Sequence, residues 1–127
     1  MRIAVLGTGM VGRALAGRSA GLGHDVVIGT RDPAATLARI EPDVQGTPPY
    51  RRWQEQHPGA TLVALPDAGA HAELLVNATA GAASADALAA AGVGDRDGLV
   101  VMDVANPLVF TADGPALSVA NTDSLAE

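Results

Sequence analysis

Short apolar runs alternate along this chain with longer stretches in which apolar residues recur every three or four positions. The short runs predict β-strands at residues 2–6, 25–29, 61–65, 73–77 and 99–104. The stretches between them predict helices, and strands that alternate with helices require right-handed parallel crossovers. The pattern therefore predicts one α/β domain over residues 1–127, a doubly wound parallel sheet of the Rossmann type in the strand order 3-2-1-4-5.

The first helix is predicted from Met10 to Leu22. Three large apolar residues share the face that is expected to pack on the sheet: Val11, Leu15 and Leu22. Arg13 and Arg18 fall outside this face and are expected on the surface.

A glycine-rich sequence, Gly7-Thr8-Gly9-Met10-Val11-Gly12, joins the first strand to this helix. It matches G-x-G-x-x-G in the strand–turn–helix context that gives the motif its meaning. Gly7 is expected to make the turn, Gly9 to let a pyrophosphate approach the backbone, and Gly12 to let the helix pack closely. The N–H groups of Thr8 to Val11, at the positive end of the helix, are then expected to cradle the pyrophosphate of a dinucleotide.

The end of the second strand indicates which dinucleotide is bound. NAD-binding domains place an acidic residue there to accept hydrogen bonds from the adenosine ribose, whereas this chain has Thr30-Arg31. A hydroxyl and a forked cation suit a 2′-phosphate, which favours NADP(H). Asp32 is the alternative, as a ribose-binding acid displaced by two positions, although Asp32-Pro33 also predicts the N-cap and first residue of a helix.

The loops that follow the fourth and fifth strands are expected on the same rim of the sheet, near the nicotinamide. Small residues after the fourth strand would admit a flat ring, and the contacts predicted there come from Ala78, Thr79 and Gly81. Asn106, after the fifth strand, could bind the carboxamide or the ribose. Asp103, within a strand predicted to be buried, is interpreted as a hydrogen-bonded structural group.

Residues 41–58 differ from the rest of the chain in their many prolines and in carrying its single Trp and single Tyr. Pro49 predicts the start of a short helix over Tyr50 to Gln56. We interpret the segment as a surface excursion in which Trp53 covers an edge of the sheet. His57 is expected to be a solvated loop residue.

Composition narrows the class of protein. The formal net charge of −6 argues against nucleic acid or an anionic membrane as a partner. The absence of cysteine excludes a disulfide framework, and no apolar run approaches the length of a membrane span. Because the amino terminus carries a strand and no such span is present, we expect a cytoplasmic protein. No catalytic side chain and no metal-ligand cluster is predicted, so any catalysis is expected to belong to the cofactor.

Four segments together resemble the NADPH-dependent reductases of the deazaflavin coenzyme F420: MRIAVLGTGMVG (1–12), GHDVVIGTR (23–31), VNAT (76–79) and DVANPL (103–108). The resemblance covers nearly the whole chain. It implies direct hydride transfer between stacked nicotinamide and deazaflavin rings, without a side-chain acid or base. It also implies that Thr30 and Arg31 hold the 2′-phosphate.

The resemblance further implies that the chain corresponds to the nucleotide-binding half of the family's members, either as a truncated product or as a stand-alone nucleotide domain. Members of that family continue with another strand and a helical part that helps to form the deazaflavin pocket and the dimer. The apolar surface left without that part predicts a homodimer. Ser124-x-x-Glu127 predicts the start of a further helix. Two alternatives remain open: a non-catalytic NADP-binding module, or the amino-terminal domain of an imino-acid or keto-acid reductase.

Overall fold

The computed structural model describes residues 1–43 and 46–105, together with the backbone of residues 108–111 and 114–117. In the first two ranges the elements follow in this order: β1 Arg2–Leu6, α1 Met10–Gly21, β2 Asp25–Thr30, α2 Pro33–Ala38, α3 Tyr50–Gln56, β3 Ala60–Ala64, α4 Leu65–His71, β4 Leu74–Asn77, α5 Ser84–Ala90 and β5 Val100–Asp103. Two further strands, β6 Leu108–Thr111 and β7 Gly114–Leu117, form a separate antiparallel pair that the sequence pattern did not predict.

Strands β1 to β5 form one parallel sheet in the order β3-β2-β1-β4-β5, which confirms the predicted doubly wound fold. Leu6 at the end of β1 lies between Gly29 of β2 and Asn77 of β4. The carboxyl ends of three strands therefore meet where the strand order reverses, which is where α/β sheets bind ligands.

The two faces of the sheet are covered by layers of different composition. On one face α4 and α5 contribute aliphatic and small side chains: Leu65, Ala68, Ala72, Ala87 and Ala91. On the other face α1 and α3 contribute Ala16 and Tyr50, with Trp53 partly buried beside them. Burial by helices on both faces explains why β1 and β2 are apolar throughout their centres.

The face of α1 that packs on the sheet differs in part from the predicted one, although Leu15 packs against the core as predicted. The buried residues of α1 are Gly12, Arg13 and Ala16. Val11 and Leu22 are 54% and 62% exposed, so their predicted burial was wrong, as was the predicted surface position of Arg13. The reason is the closeness of the helix: a Cβ on Gly12 would lie 2.2 Å from the Gly7 carbonyl oxygen. Position 12 must therefore be a glycine for the helix to lie this close to the loop.

Strand β5 is exposed, whereas the sequence pattern predicted a buried strand. Val100 and Met102 are 61% and 48% exposed, and Asp103 is exposed beside them. Among the described strands β5 pairs with β4 alone, so it forms an edge of the sheet. The apolar residues of β5 therefore lie on the surface and not in the hydrophobic core.

Helix α3 has the predicted bounds, Tyr50–Gln56, but the aromatic residues around it are more ordered than expected. The ring of His57 stacks on Trp53 with centroids 4.3 Å apart. The Nδ1 atom of His57 also lies 2.9 Å from the Trp53 carbonyl oxygen. His57 is therefore half-buried against α3, which corrects its prediction as a solvated residue.

Candidate functional site

A cleft of about 660 Å³ opens at the carboxyl ends of the strands. It is lined by Gly7, Thr8, Gly9, Met10, Val11, Gly29, Thr30, Arg31, Arg39, Asp43, Leu65, Ala78, Thr79, Ala80, Gly81, Ala83, Asp86, Ala87 and Val104. All of the predicted site residues belong to this lining except Gly12 and Asn106. Gly12 lies behind the loop, against Gly7. Asn106, like Ser124 to Glu127, lies outside the described residues.

The glycine loop, residues 7–12, contains three glycines that are needed for different reasons. Gly7 has a φ of +114°, and a Cβ there would lie 2.4 Å from the Ala78 carbonyl oxygen. Gly12 is required by its close contact with Gly7. Gly9 differs, because a Cβ at Gly9 would meet no atom within 4 Å. The fold itself does not require Gly9 to lack a side chain, whereas a ligand in the cleft would.

Helix α1 starts directly beyond Gly9 and presents its amino end to the cleft. Gly9 is the N-cap and offers no side chain, and the first turn contains no acidic residue. The first intrahelical bond runs from the Arg13 N–H to the Gly9 carbonyl oxygen at 3.0 Å. The N–H groups of Met10 and Val11 therefore lack intrahelical acceptors, as at any helix start, and suit an anion.

The β2 end of the cleft is formed by Thr30 and Arg31. The Thr30 hydroxyl lies 3.2 Å from that of Thr36, and Arg31 is exposed. Asp32 lies beside them, but its Oδ1 accepts a hydrogen bond from the Ala35 N–H at 3.0 Å. Asp32 therefore caps α2, which weakens its alternative interpretation as the ribose-binding acid.

The β4 end of the cleft, Ala78 to Gly81, is held from beneath by Asn77. Asn77 is fully buried, and its Nδ2 donates to the Ser84 hydroxyl and, at 3.3 Å, to Asp103 Oδ1. Its Oδ1 accepts a hydrogen bond from the Thr79 hydroxyl at 2.8 Å. One side chain thus ties the loop after β4 to α5 and to β5, so the shape of this end is set by a buried amide.

The family model described as NADP oxidoreductase, coenzyme F420-dependent, matches residues 2–107 of the chain. This chain belongs to that family. The resemblance drawn from the four sequence segments is therefore confirmed. No curated protein sequence matches the chain.

A solved structure from Arthrobacter sp. FB24, at 1.70 Å resolution and provisionally named an F420-dependent NADP reductase, has a similar fold. It is 54% identical in sequence, with a TM-score of 0.87. The match covers 98% of this chain but 55% of the other, so this chain spans about half the length of that relative.

Sequence reasoning missed two residues of this candidate site. Arg39 lines the cleft together with Arg31, although it follows α2 and lies eight positions later in the sequence. Asn77 supports the β4 end, and the signal available was a polar residue at the end of an apolar strand. The sequence alone gives no sign that Arg39 reaches the cleft, and it does not show which groups Asn77 would bind. Only the folded structure brings Arg39 to the cleft and Asn77 beneath it.

The histidines of this family member lie away from the cleft. His71 ends α4, and its Nε2 lies 3.0 Å from the Asp25 carbonyl oxygen at the opposite end of β2. In residues 1–43 and 46–105, no group of three or more His, Cys, Asp or Glu residues is arranged to hold a metal ion. Within the same described part of the chain, no helix is long and apolar enough to cross a membrane.

Proposed function

We propose that the cleft binds NADP(H) for hydride exchange with the deazaflavin coenzyme F420. The observation that carries the proposal is Gly9, whose missing side chain leaves open space at the amino end of α1. A diphosphate group would fill that space and accept hydrogen bonds from the free N–H groups. Family membership supports the same assignment.

Each part of the cleft has a role in this proposal. Thr8, Gly9, Met10 and Val11 hold the diphosphate, and Gly7 and Gly12 give the loop its shape. Thr30 and Arg31 bind the 2′-phosphate, because a guanidinium pairs well with a phosphate in two-pronged geometry. The nicotinamide half lies along Ala78, Thr79 and Gly81, with Asn106 assigned to the same half from the sequence alone.

The protein residues orient the cofactor and shield it. NADPH, when bound, supplies a hydride from its nicotinamide ring. The Thr79 hydroxyl already donates to Asn77, which leaves its oxygen as an acceptor toward the cleft. Ala78 and Gly81 carry little or no side chain, so a flat ring can lie against this wall with its other face open to F420.

The test is a titration with NADPH and NADH, followed by an assay of F420 reduction. We expect saturable quenching of nicotinamide fluorescence, tighter for NADPH than for NADH, and oxidation of NADPH when F420 is added. Binding without oxidation would favour the non-catalytic module. Absence of binding by either dinucleotide would overturn the whole proposal.

We also propose that the chain forms a homodimer through the exposed apolar side chains of β5, including Val100 and Met102. Burying these side chains against a second copy would remove apolar surface from water. Sedimentation velocity at increasing concentration tests this, and a monomer at every concentration would contradict it. A single domain over residues 1–127 and a cytoplasmic location remain part of the proposal, testable by limited proteolysis and cell fractionation.

A further inference from the structure

Arg13 is a charged side chain buried behind the glycine loop. Only 9% of its surface is exposed, and it does not line the cleft. Its Nε donates to the Thr8 carbonyl oxygen at 2.7 Å, and its Nη1 donates to the carbonyl oxygen of Pro48. Burial of a cation is unfavourable unless its donors are satisfied, so these bonds are needed where Arg13 lies.

The bond to Thr8 fixes a peptide plane inside the glycine loop. Among the described residues no peptide bond is cis, and in a trans peptide the C=O and N–H groups point in opposite directions. With the Thr8 carbonyl held toward Arg13, the Gly9 N–H must point away from Arg13. Gly9 lines both the cleft and a small cavity that it shares with Arg13. An N–H that points away from Arg13 therefore points away from that cavity and toward the cleft.

The guanidinium is anchored on its other side by residues 46–50. In addition to the hydrogen bond to Pro48, the Cζ atom of Arg13 lies 5.5 Å from the ring centroid of Tyr50, which is 2% exposed. Burial lowers the pKa of Arg13, partly offset by Asp43 and Tyr50, and burial raises the pKa of Tyr50 to about 12. An arginine guanidinium keeps its proton in proteins, and the raised pKa keeps the Tyr50 hydroxyl protonated near neutral pH, so the contact persists.

We propose that Arg13 is a positioning residue for the diphosphate. Holding the Thr8 carbonyl from behind aims the Gly9 N–H into the cleft and ties the glycine loop to residues 46–50. This inference rests on the proposed function, because it requires a diphosphate at the loop. It assigns to residues 46–50 a role in supporting the glycine loop from the side opposite the cleft.

The test is Arg13→Lys, with Arg18→Lys as its matched control. Lysine keeps the charge but has one compact donor group, which cannot hold two separate carbonyl groups in the geometry of a guanidinium fork. Arg18 is exposed on the same helix, so its substitution repeats the chemical change away from the loop. The probes are NADPH, ADP-ribose and 2′-AMP. Of the phosphate groups of NADPH, ADP-ribose retains only the diphosphate and 2′-AMP retains only the 2′-phosphate.

We expect Arg13→Lys to weaken NADPH and ADP-ribose by the same factor, roughly threefold to tenfold, as for the loss of one hydrogen bond. Binding of 2′-AMP should stay unchanged, and Arg18→Lys should change none of the three. Equal weakening of all three probes, or failure of Arg13→Lys to fold, would make Arg13 a purely structural residue and overturn the inference. Unchanged ADP-ribose binding would also overturn it. Failure of the wild-type protein to bind NADPH would instead overturn the proposed function.

Discussion

The two ends of the cleft are formed by different kinds of residue. The β2 end presents polar side chains at the surface, with Arg31 exposed and Thr30 beside it. The β4 end presents small residues whose backbone is fixed by the fully buried Asn77. A site that recognises charge can be changed by substitution at its surface, whereas a site that recognises shape depends on the core beneath it. We therefore expect the β2 end to set which dinucleotide is preferred and the β4 end to affect both dinucleotides equally.

The largest effect is expected at Gly9, which lies between the two ends. Gly9→Val places a branched side chain in the space assigned to the diphosphate, so NADPH and NADH binding should both fall below detection. The fold should tolerate the change, because a Cβ at Gly9 meets nothing within 4 Å. Fluorescence titration and circular dichroism measure the two quantities.

Gly21→Val provides the control for Gly9→Val. A Cβ at Gly21 also meets nothing within 4 Å, and Gly21 lies at the far end of α1. This variant should keep wild-type affinity for both dinucleotides. Unchanged NADPH affinity in Gly9→Val would show that Gly9 serves only the turn.

The next largest effect concerns Arg31 and separates the two ends. A charge-assisted hydrogen bond to the 2′-phosphate contributes roughly 1.5–3 kcal/mol, so Arg31→Ala should weaken NADPH binding by about 10- to 100-fold. NADH has no phosphate at that position, and its dissociation constant should stay nearly constant. Paired titrations give the ratio. The same loss for both dinucleotides would mean that Arg31 supports the fold or stacks on adenine.

Thr30→Asp adds a negative charge at the β2 end. A carboxylate placed against the 2′-phosphate should repel it and accept hydrogen bonds from the ribose of NADH, so the preference should shift toward NADH. If Arg31→Ala weakened the binding of neither dinucleotide, Asp32 would be the residue that binds the adenosine ribose. The bond from Ala35 to Asp32 makes that outcome unexpected.

The sequence was sufficient for the sheet and the glycine loop because both depend on local signals. Each strand is a contiguous apolar run, and G-x-G-x-x-G is defined by residues that are neighbours in the chain. Asp32 as the cap of α2 was also predictable, since a helix start depends on the next three residues.

The supports of the cleft could not be predicted because their partners are distant in the chain. Arg13 donates to Pro48, 35 positions away, and Asn77 donates to Asp103, 26 positions away. Helical periodicity also misassigned Arg13, because it assumes that large apolar residues face the sheet. The close approach at Gly12 reverses that assumption, and only the folded structure shows how close the helix lies.

A smaller effect on binding is expected from Asn77→Ala, at the β4 end. Removing the amide leaves the Thr79 and Ser84 hydroxyls without their partner, which should lower the free energy of unfolding by about 1–3 kcal/mol. The loop from Ala78 to Gly81 should loosen, so NADPH and NADH should weaken by one common factor. Urea unfolding and paired titrations measure these changes.

Asp103→Ala is the matched control for Asn77→Ala. It removes the longer, part-buried hydrogen bond of the same network and an exposed one from the Ala105 N–H, and should reduce stability much less. If Asn77→Ala weakened NADPH binding but not NADH binding, this would contradict the proposal that the β2 end recognises charge and the β4 end recognises shape.

The smallest effect is the response to salt, which sharpens the comparison without a mutation. An exposed ion pair is screened, so raising the ionic strength from about 0.1 M to about 1 M should weaken NADPH binding more than NADH binding, by about fivefold at most.

The net charge of −6 acts in the other direction, because it repels the more anionic NADPH. At about 0.1 M, however, the Debye length is already near 10 Å, so this long-range repulsion is largely screened and the local pair dominates. The diphosphate responds alike in both dinucleotides, so the difference between them isolates the contacts of the 2′-phosphate, which we assign to Arg31. In Arg31→Ala the two salt dependences should become parallel, and equal slopes already in the wild-type protein would remove the ion pair from the proposed site.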